Sequence, residues 1–116
     1  MDAWCSSRGV DTTAVADLDL ALDEVVANII HHGYGPDAPA AIRLRIRLEG
    51  GRVRLEVVDR APEFNPLEAS EPGPHSAAGG GGFGVHLVRK LMDRVEYVRE
   101  NGENRLTLER RAGSRQ

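Results

Sequence analysis

From Ile42 the chain alternates strictly. Ile42, Leu44, Ile46 and Leu48 are separated by Arg43, Arg45 and Arg47, and the alternation resumes after Gly50-Gly51 with Val53, Leu55 and Val57. Successive side chains of a strand point to opposite faces, so this pattern specifies two strands with one apolar and one polar side. The glycine pair suits a two-residue hairpin turn. The register set by that turn pairs Glu49 with Arg52 and Arg45 with Glu56, both of opposite sign, and sets Arg47 against Arg54. The apolar side must be covered, and the rest of the chain has to supply the cover.

Helical spacing supplies it. Val15, Leu18, Leu22, Val25, Val26, Ile29 and Ile30 recur every three or four residues, the stripe of a core-facing helix. Asp11, Thr12 and Thr13 are suited to cap its start, and Gly33 and Gly35-Pro36 to stop it. On the other side Glu24, Asn28 and His32 stand four apart, a polar ladder at the border of the core. By itself such a ladder also suits the solvated edge of an amphipathic helix. Met1 to Gly9 reads as a helix tail and a turn. Val85, Val88, Leu91, Met92 and Val95 resume helical spacing directly after the glycines 79–82. A second hairpin is expected around Asn101-Gly102, with Val98, Leu106 and Leu108 as core positions. Between Asp59 and Gly84 the pattern is lost among prolines and glycines, and a loop this long inside a domain reads as a lid, placed at about residues 66–82.

The order helix, strand, strand, lid, helix, strand, strand predicts an α+β fold. It is a two-layer α/β sandwich, with a mixed, mostly antiparallel sheet and helices on one face. With 116 residues, one domain spanning 1–116 is expected. The lone Cys5 cannot form an internal disulfide, and no apolar run approaches membrane-spanning length, so a cytoplasmic protein without membrane contact is expected. The arginines of the first hairpin are interrupted by Glu49 and Glu56 and lack interleaved aromatic residues. They read as a solvated face and not as a nucleic-acid surface.

Two stretches carry candidate chemistry. Gly79 to Gly82, followed by Phe83-Gly84 and a helix, can turn backbone N–H groups toward an anion such as phosphate. No lysine with Ser/Thr follows the glycines and no strand precedes them, so this is neither a Walker loop nor a dinucleotide fingerprint; a flexible linker is the alternative. Asp59 ends an apolar strand before a turn. There it either caps the turn or accepts a hydrogen bond from an exocyclic amino group such as that of adenine.

Taken together, these segments resemble the GHKL ATPase superfamily and, within it, the anti-sigma-factor serine/threonine kinases. Glu24-Val25-Val26-Ala27-Asn28 with His32-Gly33-Tyr34 is similar to that family's N box. Asp59-Arg60-Ala61-Pro62-Glu63-Phe64-Asn65-Pro66 is similar to the first glycine box, and Gly81 to Asp93 to the second with its helix. Gly102-Glu103-Asn104-Arg105-Leu106-Thr107-Leu108 resembles the closing strand. Four boxes in order make a specific match, covering nearly everything from Asp17 onward.

The resemblance implies a Bergerat-type fold that binds ATP and Mg²⁺. Asn28 would give its amide oxygen to the metal, and Glu24 would accept the proton of an incoming serine hydroxyl. Asp59 would read the adenine amino group with Thr107 beside it, and Ala61 and Asn65 of the first glycine box would also touch the nucleotide. His32 would lie on the phosphate side, and Gly81, Gly82, Phe83, Gly84 and Val85 would hold the phosphates. The implied activity is phosphorylation of a serine on an anti-anti-sigma protein, alternating with sequestration of a sigma factor, commonly by a homodimer. A module that binds ATP and partner without phosphoryl transfer is the alternative. Three departures bear on this choice. Ala61 replaces a family glycine, no lysine or arginine lies between Arg60 and Arg89, and only Trp4 to Arg8 stand where relatives open with a strand and a full helix. A sheet lacking the family's first strand fits the last of these.

Overall fold

A computed structural model describes residues 1–30, 41–62 and 81–113, with residues 81–85 described by their backbone. The elements run α1 (Asp2–Ser7), α2 (Thr12–Asn28), β1 (Ile42–Glu49), β2 (Arg52–Asp59), α3 (Gly81–Leu91), β3 (Arg94–Glu100) and β4 (Glu103–Arg111). The strands form one sheet in the order β1-β2-β4-β3. Every pairing among the described residues is antiparallel, so the expected mixture with parallel pairing is not found there.

Both hairpins turn where the sequence places them. Gly50 (φ 56°) and Gly51 (φ 74°), and likewise Asn101 (φ 51°) and Gly102 (φ 75°), take positive φ, as a two-residue turn matched to strand twist requires. The first hairpin has the expected register, Glu49 facing Arg52, Arg47 facing Arg54 and Arg45 facing Glu56. In the second hairpin Val98 pairs with Arg105, which puts it on the face away from Leu106 and Leu108. It is 45% exposed, so its expected core role is corrected. Val95 and Tyr97, opposite Leu108 and Leu106, pack on the core instead.

The inner face of the two central strands is the floor of the core. Val53, Leu55 and Val57 of β2 and Leu106 and Leu108 of β4 pack under Ala14, Val15, Leu18, Ala21 and Val25 of α2 and Val88 and Met92 at the end of α3. The other face carries Arg54, Glu56, Arg105 and Glu109, with Glu56 and Arg105 3.9 Å apart. It is laced with opposite charges, and such exposed pairs contribute little to stability.

Asp11 caps α2, its carboxylate accepting from Thr13 N at 3.1 Å while its own N–H donates to Ala112 O at 2.7 Å. The helix thus starts at Thr12, and the two threonines lie inside it. Its last turn passes into a π-helical step at Ile29-Ile30; the expected stop at Gly33 and Gly35-Pro36 lies outside the described residues. α3 begins at Gly81. Glycines 81, 82 and 84 are therefore its first turn, and not the lid's end or its hinge; the rest of the expected lid lies outside the described residues.

A buried ion pair ties the layers together. Arg110, 5% exposed in its side chain, donates from Nε to Asp17 Oδ2 at 3.1 Å across the interface between β4 and α2. Asp17→Ala leaves that guanidinium buried without its carboxylate and is expected to cost roughly 2–4 kcal/mol, less than a fully buried pair because Asp17 keeps some exposure. Urea denaturation measures this, and a loss comparable to that of an exposed charge would contradict it.

Candidate functional site

Asp59 closes β2, and the pairing of β2 with β4 places it opposite Asn104. Across the sheet the row reads Ile42, Asp59, Asn104, Arg99. Asp59 is on the helix-covered face, in line with Val57 and Leu55, and is 4% exposed; Asn104 is 6% exposed. A carboxylate so withdrawn from water needs donors. Asp59 Oδ1 accepts from Ala61 N at 2.9 Å, closing a tight turn, and from Asn104 Nδ2 at 2.9 Å. Among the described residues, both of its bonds fall on that one oxygen.

Thr107 is not beside Asp59. It pairs with Glu56 and Glu96, on the opposite face, because it lies an odd number of positions, three, along the strand from Asn104 and strand side chains alternate. Asn104 has the place expected for Thr107. The signal was available in part: a two-residue turn at Asn101-Gly102 makes the numbers of paired residues on β3 and β4 sum to a constant, which fixes Tyr97 and Asn104 on one face and Val98, Arg105 and Thr107 on the other.

Ala61 accommodates its methyl group. Among the described residues only Asn101 takes positive φ without being glycine, so Ala61 needs no glycine conformation, and it is 2% exposed. The replacement of the family glycine therefore puts no strain on the backbone at Ala61.

Along α2, Ala14, Leu18, Ala21, Val25 and Asn28 form one buried seam, and Asn28 is 9% exposed. Asn28 thus belongs to the covered side of the helix, while Glu24, one turn earlier, is half-buried at the seam's edge. The expected ladder is therefore graded, its amide turned further into the protein than its carboxylate. α2 packs along α3, which brings the helix bearing Glu24 and Asn28 against the one that opens with Gly81-Gly82-Phe83-Gly84-Val85. A helix N-terminus with three glycines presents unpaired N–H groups with little side-chain obstruction. His32 and Asn65 lie outside the described residues.

No cluster of three or more His, Cys, Asp or Glu side chains suited to a metal occurs among the described residues. Where α2 borders the covered side near α3, it offers the Asn28 amide oxygen and, one turn earlier, the half-buried Glu24 carboxylate. Cys5 is fully buried, and burial pushes its thiol above the ordinary value, a setting opposed to nucleophilic use.

Replacing Asp59 with Leu in the nucleotide-free chain strands the Ala61 N–H and an Asn104 N–H. It is expected to lower unfolding free energy by about 1–3 kcal/mol, measured by urea denaturation; an unchanged midpoint would contradict the network.

Comparison with known proteins agrees with this fold. Residues 1–110 match the family model described as a histidine kinase-like ATPase domain. The serine/threonine-protein kinase BtrW of Bordetella bronchiseptica is 36% identical over 94 residues, covering 78% of this chain and 66% of that protein. The serine-protein kinase RsbW of Bacillus pumilus is 29% identical over 108 residues, covering 84% and 65%. The chain thus spans just under two-thirds of the length of these relatives. In structure it is similar to the blue-light activated histidine kinase EL346 of Erythrobacter litoralis, with a TM-score of 0.66 and 18% identity over 89% of this chain and 32% of that one, a likeness of fold. The four-stranded antiparallel sheet under its helices and the match along nearly the whole length place this chain in the histidine kinase-like ATPase domain family, with relatives named as serine/threonine- and serine-protein kinases.

Proposed function

We propose that the chain binds ATP with Mg²⁺ between α2 and the start of α3, and transfers the γ-phosphoryl group to a serine of an anti-anti-sigma protein. The observation that carries this reading is the buried Asp59. It is held by two donors on one oxygen at the end of a central strand, a fixed acceptor suited to the amino group of adenine. A structural carboxylate would serve as well with both oxygens engaged.

The remaining roles follow from residue chemistry. Asn28 has the hard oxygen that Mg²⁺ accepts alongside water and substrate phosphates, and a single protein amide suits an ion that rarely takes a full protein cage. The metal supplies charge neutralisation on the phosphates. Glu24, half-buried one turn away, takes up the proton of the attacking serine hydroxyl. The amides of Gly81 to Val85 receive phosphate oxygens at the helix start. His32 on the phosphate side and Asn65 in the first glycine box belong to the same proposal. Alternation between the phosphoryl acceptor and a sigma factor, action as a homodimer in the cytoplasm and a part in transcription regulation are proposed with it. The names of the serine-protein kinase relatives support the kinase reading. No helix among the described residues is long and apolar enough to cross a membrane.

A second reading, an ATP-binding anti-sigma module without transfer, is favoured by one observation: from Ala61 to His86 no lysine or arginine is available for the γ-phosphate. The two readings separate with radiolabelled ATP, Mg²⁺ and an anti-anti-sigma protein. Glu24→Gln is expected to keep ATP affinity within about threefold and to lower transfer at least 100-fold. Transfer unchanged by Glu24→Gln would remove its proposed role, and no transfer by the unaltered chain would leave the binding module.

A further inference from the structure

The side chain across the strand from Asp59 is wired with a fixed direction. Asn104 Oδ1 accepts from Tyr97 Oη at 2.6 Å and from Arg99 Nη1 at 3.2 Å. A guanidinium only donates, so the amide atom facing Arg99 has to be the oxygen. The nitrogen then faces the other way, and Nδ2 lies 2.9 Å from Asp59 Oδ1, 3.2 Å from Ala61 O and 3.2 Å from Pro62 O. Arg99 Nη1 also donates to Ala61 O at 2.8 Å. Every bond in this chain has one permitted polarity, from the cation and the phenol through the amide to the carboxylate.

This arrangement has a consequence for Asp59. A carboxylate at the end of a strand can rotate about its last torsion, which is broad and roughly two-fold. Here Oδ1 is caught between the Ala61 N–H behind it and the Asn104 N–H beside it. Rotation would break both bonds inside a site almost closed to water, where a lost partner is costly. The second oxygen is thereby fixed in direction, and among the described residues no donor takes it.

We infer that Asn104 is a positioning residue that sets nucleobase selectivity. Held by Tyr97 and Arg99, it orients Asp59 so that Oδ2 accepts from a purine carrying a 6-amino group and rejects one carrying a 6-oxo group. The inference rests on the proposed reading of Asp59 as the acid that meets the base. It adds the residue that makes the choice of a 6-aminopurine over a 6-oxopurine strict. The physical cause is asymmetric: a fixed carboxylate oxygen gains a hydrogen bond from an amino group and meets repulsion from a carbonyl oxygen, whereas one free to turn can relieve the repulsion.

Affinities for ATP and inosine triphosphate are compared by calorimetry in the unaltered chain, Asn104→Leu and Tyr97→Phe. The unaltered chain is expected to prefer ATP by at least 100-fold, Asn104→Leu to reduce that ratio at least tenfold, and Tyr97→Phe to reduce it about two- to fivefold with the fold intact. A general loosening of the site lowers both affinities and leaves the ratio standing, so the ratio separates positioning from mere support. In the nucleotide-free chain the Asn104 side-chain N–H signals are expected to exchange slowly with solvent by NMR. Equal loss of both nucleotides in both variants would overturn the inference, as would fast exchange of those protons. If the unaltered chain binds ATP without preferring it, the selectivity claim fails while the nucleotide reading stands. If it binds neither nucleotide, the parent reading fails and carries this one with it.

Discussion

The pairing of β2 with β4 is the constraint on which the rest depends. It joins two strands that are not neighbours in sequence, with residues 60–102 intervening. The same register does two things. It lays Val53, Leu55 and Val57 beside Leu106 and Leu108 to make a continuous apolar floor, and it brings Asp59 opposite Asn104 where that floor ends. A shift by one residue would turn Asp59 and the apolar residues of one strand to the charged face, so the hydrophobic effect that fixes the core also fixes the site.

Among the described residues, polar groups enter the covered layer at three places, each with a different physical character. Arg110 crosses to Asp17 as an ion pair between sheet and helix. Asp59 and Asn104 form a neutral–anionic pair fed by Arg99 and Tyr97. Asn28 ends the buried seam of α2. The first pins the layers, while the second and third stand at the elements to which nucleotide chemistry is assigned.

Much of this was legible in the sequence, for identifiable reasons. Both hairpins follow from Gly50-Gly51 and Asn101-Gly102, because a two-residue turn with positive φ has few alternatives, and the first register follows from the alternation around it. The core stripe of α2 is legible for the same local reason. Val98 and Thr107 lie on the outer face because the two-residue turn fixes the parity of both strands, which neither an apolar side chain nor a resemblance of motif signals. The role of Asn104 is not legible, since its contact with Asp59 depends on a pairing between strands far apart in sequence that no local pattern specifies. Glycine's poor helix propensity makes 81–84 read as loop; α3 begins there nonetheless, carried by its packing along α2. Asn28 looked like the edge of a polar ladder because its phase with Glu24 is clear, while its alignment with Ala21 and Val25 decides its burial.

The central claim is a nucleotide whose base meets Asp59 at the end of β2 and whose phosphates lie at the start of α3. A crystal structure of the chain grown with Mg²⁺ and a non-hydrolysable ATP analogue tests it most directly. The account predicts the adenine amino group within hydrogen-bond distance, about 2.7–3.2 Å, of Asp59 Oδ2, with Oδ1 still held by Ala61 and Asn104. A nucleotide bound elsewhere, or an adenine amino group turned away from Asp59, would contradict it.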